Sequence, residues 1–466
     1  MSRYGRTPGA GRTRELASRS STREARPHAR LWGASELTGY TVSKAARVTD
    51  HTDSPRQRTL VLVLCGAVLA LEGYDIVVFG AAVPVLVRTS GWDLSRADVG
   101  VLGSVALVGM LLGALTAGFW ADRRGRRPVL LTGLVMVSAG MLLCGAAPTA
   151  AVFGAGRLVV GLGAGVLLPT AAALVSEYAP TQHRNLYQGL AFSGIGYGGL
   201  CSALAALTLG GQGFRGLFLL GALPAVVLLP ALLRWLPESA DYLATRRDRT
   251  AHRKSPPDSW RLLFARDHAA TTVAFLTVTF LSLLVLFGAY TWLPVLMTRA
   301  GYSLGTSLGF LVVLNLGVIV GSATSPRLAD RFGARPAILL SYTAGAVALV
   351  LLAQAPPVPV GYGLTALVGA GLVTAQFLVN ALIAASYPTL LRGKALGLAL
   401  GIGRFGGVLG PLYGGWLLTD GFAAQAGFYG FAVPGLLAGL LAGLAPRGKA
   451  VAAGQGGRRP GRQPTT

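Results

Sequence analysis

Charge is the first thing this chain is short of. Asp, Glu, Lys and Arg make up 13% of its 466 residues, about half the roughly one quarter found in ordinary soluble domains. Cysteine is scarcer still, with three residues, which excludes a small disulfide-stapled scaffold. Cys65, Cys144 and Cys201 all lie in apolar runs and are expected to act as small helix-packing residues. Hydrophobic residues, by contrast, form 52% of the chain, too many for a disordered protein. A soluble enzyme domain of this make-up would expose apolar patches large enough to aggregate.

Acidic residues are also few, 18 against 41 Lys and Arg, so the formal net charge is +23. That excess would suit nucleic acid if it covered one surface. Instead, no charge occurs from Val99 to Ala121, Pro128 to Gly156, Leu158 to Ser176, Asn185 to Phe214, Gly216 to Leu233, Ala269 to Thr298, Ala300 to Pro326 or Pro336 to Leu391. A spanning helix needs about 20 apolar residues, so each run crosses a bilayer once or twice. Proline breaks at Ala147-Pro148-Thr149 and Pro356-Pro357-Val358-Pro359 divide two of them. Twelve spans result, expected near residues 60–87, 99–120, 128–147, 150–175, 187–209, 214–235, 270–297, 303–326, 337–354, 359–386, 395–418 and 422–444.

With both termini on one side, 35 basic residues fall there or in even-numbered loops, four fall in the opposite loops and two lie within spans. Lys and Arg concentrate on the cytoplasmic side of membrane proteins. Both termini are therefore expected in the cytoplasm, on a multi-pass protein of the inner (plasma) membrane. The basic excess is then topology, and no nucleic-acid partner is expected.

The fold class that follows is all-α and polytopic, with twelve transmembrane helices in two six-helix pseudo-repeats. The expected organisation is a disordered basic tail at 1–58, a bundle at 59–236, a cytoplasmic linker at 237–268, a second bundle at 269–446 and a basic tail at 447–466. Duplication is visible directly. Ala121-Asp122-Arg123-Arg124-Gly125-Arg126-Arg127-Pro128 recurs as Ala329-Asp330-Arg331-Phe332-Gly333-Ala334-Arg335-Pro336, and Pro180, Arg184, Gly189 recurs at the same offset as Pro388, Arg392, Gly397. Two landmarks with one period argue for a repeat. Six helices duplicated, with substrate handled between the halves, is the layout of an alternating-access carrier.

Four charges sit deep within spans: Glu72, Asp75, Arg157 and Arg404. Each costs about 2.5 to 3.5 kcal/mol or more at a helix centre, so each marks a functional site by default. Glu72 and Asp75 are three apart on one helix face, where two carboxylates cannot comfortably both ionise. One is expected to hold a proton and to couple its movement to transport. The bland alternative is structural salt bridging to Arg157 or Arg404. Arg404 lies nine residues into its span, roughly 14 Å deep at helical rise, and its fork matches a carboxylate. Its surroundings, Gly401-Ile402-Gly403-Arg404-Phe405-Gly406, imitate a dinucleotide fingerprint but lie inside an apolar helix, so no cofactor is expected.

The loop Gly118-Phe119-Trp120-Ala121-Asp122-Arg123-Arg124-Gly125-Arg126-Arg127 resembles the signature between helices 2 and 3 of the major facilitator superfamily, with its degenerate copy at Asp330, Arg331 and Arg335. The resemblance implies a conformational latch formed by Gly118, Asp122, Arg123, Gly125, Arg126 and Arg127, and by the second copy. Glu177 with Arg184, and Arg392 in the repeat, read as gate or latch residues. Arg157-Leu158-Val159-Val160-Gly161-Leu162-Gly163-Ala164-Gly165 is similar to the superfamily's helix-4 motif, which implies proton coupling for Arg157. Gly410-Pro411-Leu412-Tyr413-Gly414-Gly415 imitates an antiporter motif in helix 11, whereas helix 5 carries no Gly-Pro; this weakens drug export.

Leu71-Glu72-Gly73-Tyr74-Asp75-Ile76-Val77-Val78-Phe79-Gly80, followed by Pro237-Glu238-Ser239, resembles the aromatic acid:proton symporters over about residues 59–446. Many members have Asp where this chain has Glu72. The resemblance implies import of benzoate-like or hydroxybenzoate-like anions with protons. Polar and aromatic residues at span centres, Tyr74, Tyr290, Trp292, Asn315, Gln376 and Asn380, are candidates to complete the substrate cavity with Arg404. The partners expected are a small aromatic carboxylate, the proton and the bilayer, for a monomeric carrier. The rivals are another facilitator-type carrier, for a sugar, a metabolite acid or drug export, and a carrier-like membrane sensor. An enzyme is not expected, since no nucleophile and base pair or metal cluster falls within the spans.

Overall fold

A computed structural model describes residues 55–180, 184–209, 213–239, 242–243, 259–265, 268–387, 389–419 and 425–445. The two basic tails, most of the linker and Pro388 lie outside the described residues. Twelve helices are long and apolar enough to cross a membrane: α1 Pro55–Arg88, α2 Arg96–Arg124, α3 Arg126–Ala146, α4 Ala150–Tyr178, α5 Leu186–Leu209, α6 Phe214–Trp235, α7 Ala269–Arg299, α8 Leu304–Phe332, α9 Ala334–Leu352, α10 Val358–Ser386, α11 Leu391–Leu417 and α12 Ala426–Leu444. No strand occurs among the described residues. In hydrocarbon every backbone group must be satisfied within its own segment, which is why apolar runs of this length become helices.

The helices correspond to the twelve expected spans, and several run longer. α1 begins at Pro55 and α8 continues through Pro326 to Phe332. Hydropathy marks only the part of a helix inside hydrocarbon, while its backbone ladder carries on into the polar headgroup layer. α6 breaks at Leu223, just before Pro224. α10 contains a π-helical turn at Gly369–Val373.

The duplicated loops form the same turn twice. Gly125 (φ +93°) and Gly333 (φ +90°) both occupy the left-handed half of backbone space, which a side chain would oppose. Each donates its N–H to the alanine four residues earlier, Ala121 or Ala329, and opens the next helix. Arg127 and Arg335, equivalent in the repeat, each donate to a carbonyl at the end of the sixth helix of their half, Leu233 or Ala445.

Small residues let the helices approach closely. α1 lies against α5 and α2 against α4 in the first half; α7 lies against α11 and α9 against α12 in the second. At the α2/α4 seam a Cβ on Gly161 would collide with the Ala106 carbonyl, the close approach that membrane helices favour. The halves meet through α2 with α11, α5 with α8 and α1 with α7.

That meeting is one-sided. Near the α1–α2 loop, Ser104 donates to the Val408 carbonyl at 2.6 Å, and Arg96 and Arg299 from opposite halves converge on the Leu418 carbonyl at 2.6 and 2.8 Å. A Cβ on Gly100 would lie 2.9 Å from the Pro411 carbonyl oxygen. Gly118 and Gly393 lie on the same helix faces as Gly100 and Pro411, about five turns along. There a Cβ would meet no atom within 4 Å. The paired helices thus touch at one end and diverge toward the arginine-rich loops.

Candidate functional site

α1 and α4 bring Asp75 and Arg157 together inside the first half. Arg157 Nη1 donates to Asp75 Oδ1 at 2.5 Å, and both side chains are 5% exposed. The guanidinium also lies over the Phe79 ring, 4.9 Å from its centroid. Its Nε is buried with no hydrogen-bond partner. One turn away on α1, Glu72 is 1% exposed and its Oε2 has no partner either. Asp75 and Arg404 are the charged groups within electrostatic reach of Glu72. Arg404 comes from α11 in the second half, is half-buried and sets Nη1 against the Met110 sulfur of α2. The four membrane charges therefore form one ion pair, Asp75–Arg157 within the first half, with Glu72 one turn away on α1 and Arg404 of the second half within its electrostatic reach.

Beside the Asp75–Arg157 pair lies a cavity of about 20 Å³ walled by Phe79, Met110, Phe287 and Thr291. That is room for roughly one water, whereas a benzene-sized ring needs on the order of 150 Å³. On the far side of Phe79, whose ring lies 6.3 Å from that of Phe153, the rings of Trp92, Phe153, Phe214 and Phe218 pack tilted or edge-to-face at 5.1 to 5.9 Å. They close this end of the first bundle.

The other expected substrate residues are placed differently from one another. Gln376 and Asn380 pair on α10 at 2.8 Å, just after the π-helical turn, and Gln376 Oε1 is buried without a partner. Asn315 is 1% exposed and accepts from the Tyr290 hydroxyl at 3.2 Å. Trp292 donates to the Pro411 carbonyl at 2.8 Å, filling the α7/α11 seam. Tyr74 turns its hydroxyl to the Leu217 carbonyl at 2.8 Å, toward the break in α6. Neither Tyr74 nor Trp292 borders the cavity. The aromatic groups that do, Phe79 and Phe287, carry no polar atom, so neither was among the expected cavity residues.

The model of the Major Facilitator Superfamily matches residues 65–355 and 313–466. The chain belongs to that superfamily. It is 36% identical over 389 residues to a gentisate transporter of Corynebacterium glutamicum, covering 82% of this chain and 86% of that one. It is 32% identical over 408 residues to a benzoate transport protein of Acinetobacter baylyi, covering 81% and 87%. The crystal structure of a D-xylose-proton symporter superposes with a TM-score of 0.70 at 19% identity, over 84% of this chain and 98% of that one. The family and these relatives are transporters, and the chain is a multi-pass membrane protein.

In this facilitator the signature loop is tied down by a residue outside it. Arg126 pairs with Glu177 at the end of α4. The backbone N–H groups of Arg126 and Arg127 donate to Glu238 Oε1 at 2.8 and 3.1 Å, and the Tyr178 hydroxyl donates to the Glu238 carbonyl at 2.9 Å. α3 starts at a glycine that offers no capping side chain, so Glu238, arriving from the end of α6, supplies the missing acceptor and the negative charge that a helix N-terminus favours. Pro237-Glu238-Ser239 stood out only as part of a resemblance; its role as a cap needed the tertiary structure. Arg123 and Arg331 lie over the Phe119 and Phe332 rings at 3.9 and 5.3 Å. Gly118, Asp122, Asp330 and Arg392 are exposed, and the side chain of Arg184 lies outside the described residues. Glu238→Ala should cost about 1 to 2 kcal/mol, read as a lower unfolding midpoint in detergent, with Glu238→Gln losing less. Unchanged midpoints in both would remove the cap.

Proposed function

We propose that this chain imports aromatic monocarboxylates of the benzoate or hydroxybenzoate class together with protons, by alternating access. The observation that carries the proposal is the Asp75–Arg157 pair, with Glu72 one turn away and Arg404 of the second half within electrostatic reach of Glu72. Isolated charges in a membrane interior persist only where function requires them. Arg404, half-buried and belonging to the second half, is the contact for an incoming carboxylate. Glu72, Asp75 and Arg157 are the proton-coupling groups. The gentisate and benzoate transporters among its relatives support the substrate class. Gln376 and Asn380, with Asn315, are the polar partners proposed for ring substituents.

The arginine-rich loops point to the cytoplasm under the positive-inside rule, which puts both termini there. The helix divergence at Gly118 and Gly393 then corresponds to an inward-open carrier sealed on its outer face. The latch made by Arg126, Glu177 and Glu238 lies at the cytoplasmic end of the first half. The carrier is proposed to work as a monomer and not as an enzyme.

The test is accumulation of labelled benzoate and gentisate by proteoliposomes carrying the protein under an imposed pH gradient, acid outside. Accumulation should appear with the gradient and collapse to equilibration with a protonophore. Accumulation that survives the protonophore would exclude proton coupling; no flux of any aromatic acid would exclude the substrate class.

A further inference from the structure

Resting on the orientation and substrate class proposed above, we infer that Arg96 and Arg299 form a carboxylate seat at the outer mouth. The Leu418 carbonyl occupies it in the sealed carrier, and a substrate carboxylate arriving from outside displaces that carbonyl and releases the seal.

The seat is built from three helix ends. Arg96 opens α2, Arg299 closes α7, and Leu418 follows the last residue of α11. Both arginines donate to the Leu418 carbonyl, Arg96 through Nη1 at 2.6 Å and Arg299 through Nη2 at 2.8 Å. Both are half-buried, so solvent on this face reaches them. The last carbonyls of a helix lack partners within it, and cations beside them are favoured by the helix dipole. A carbonyl is nevertheless a neutral acceptor. A carboxylate offers the same donors two charged oxygens, and charge-assisted hydrogen bonds are roughly twice as strong as neutral ones. Two guanidinium forks aimed at one point are the complement of one carboxylate.

Position makes this seat a latch. Arg299 and Leu418 belong to the second half, so their bond does not depend on how the halves sit. The Arg96 bond crosses between halves. It heads a seam that runs inward along α2 against α11. A Cβ on Gly415 would lie 2.9 Å from the Arg96 carbonyl oxygen, Gly100 packs on Pro411, and Ser104 donates to the Val408 carbonyl. Arg96, Gly100 and Ser104 are four apart and share one face of α2. Withdrawing Arg96 therefore frees the seam from its outer end. When it does, Leu418 keeps Arg299, while Arg96 moves away with the first half and carries the anion's second contact. Substrate binding at the mouth and opening of the mouth are thus one event.

The experiment uses the full chain in intact cells, with Ser104→Cys/Cys201→Ser as the background and a membrane-impermeant maleimide added outside. Ser104 lies in the seam and is 4% exposed, so labelling reports opening. Arg96→Gln should speed labelling about tenfold, the loss of one hydrogen bond to a charged group. Arg299→Gln should leave the ligand-free rate near that of the background. Arg96→Lys keeps the charge without the fork and should fall between, which also covers the case that Arg96→Gln does not fold. Adding Arg404→Ala removes the inner contact proposed for the substrate. In that background, external benzoate should still speed labelling several-fold, whereas benzamide, with the same ring and no charge, should not. Arg299→Gln should weaken this response, and Arg96→Gln/Arg299→Gln should abolish it. Background-rate labelling in both Arg96 variants, a benzoate response that survives the double variant, or one that vanishes with Arg404→Ala would overturn the inference. Each of these leaves the proposed function standing if benzoate is still accumulated. Conversely, a carrier whose labelling follows these expectations but which moves no aromatic acid would keep the outer seat and overturn the proposed function.

Discussion

Arg404→Ala should lose binding and uptake of benzoate-class acids at every pH, by a factor of roughly 100 or more. Truncating one partner of a desolvated charge pair costs about 2 to 5 kcal/mol, and each 1.4 kcal/mol is tenfold. The fold should survive. Arg404 is half-buried and sets Nη1 against the sulfur of Met110, not against a backbone carbonyl that would be left orphaned. Arg404→Lys keeps the charge but replaces a planar fork by a point donor, so it should recover only part of the loss. The measurement is the benzoate-dependent shift in unfolding midpoint together with initial uptake rates. An unchanged benzoate shift in Arg404→Ala would take this residue out of the binding site.

The second large effect concerns conformation. Gly80 lies on α1 where it crosses α7, and a Cβ there would collide with the carbonyl oxygen of Tyr290. This contact joins the halves and is not internal to either. Gly80→Val should therefore leave each bundle folded while barring the sealed arrangement, because a backbone carbonyl cannot rotate away as a side chain can. Transport should fall to background. The reporter is Ser104→Cys, made with Cys201→Ser: Ser104 is 4% exposed and bonded to Val408 under α11, whereas Cys201 is already exposed. In the otherwise native carrier the reporter should resist a water-soluble maleimide, and Gly80→Val should make it react several-fold faster. Equal labelling with full transport would show that the α1–α7 contact is not needed for closure.

These two predictions depend on different kinds of information. Arg404 stands out in the sequence because a charge inside an apolar run has to be explained. Gly80 does not, since it is one of 65 glycines and only its neighbour across the interface distinguishes it. The same contrast separates Tyr74 from Phe79. Both belong to one short motif, and by residue type the polar aromatic is the better candidate for ligand contact, yet the Tyr74 hydroxyl is taken by Leu217 while Phe79 walls the cavity. A helix turns 100° per residue, so residues five apart in a motif can serve different neighbours. Which neighbour each one meets depends on rotation and crossing angle, and neither can be read from one strand of sequence. Cys201 is a smaller case: an apolar context suggested packing, but this thiol is exposed where Cys65 and Cys144 are buried.

By itself the sequence determined the twelve crossings, the duplication, the arginine-rich turns and the four charges that a membrane interior would otherwise reject. These are properties of composition and spacing, set by the cost of moving polar groups into hydrocarbon. Only the tertiary structure decided that Asp75 and not Glu72 takes Arg157, that Glu238 caps the signature loop from a distant helix end, and that the halves close on one face alone. Pairing is a matter of which helix faces which, and that is settled by packing between segments far apart in the chain.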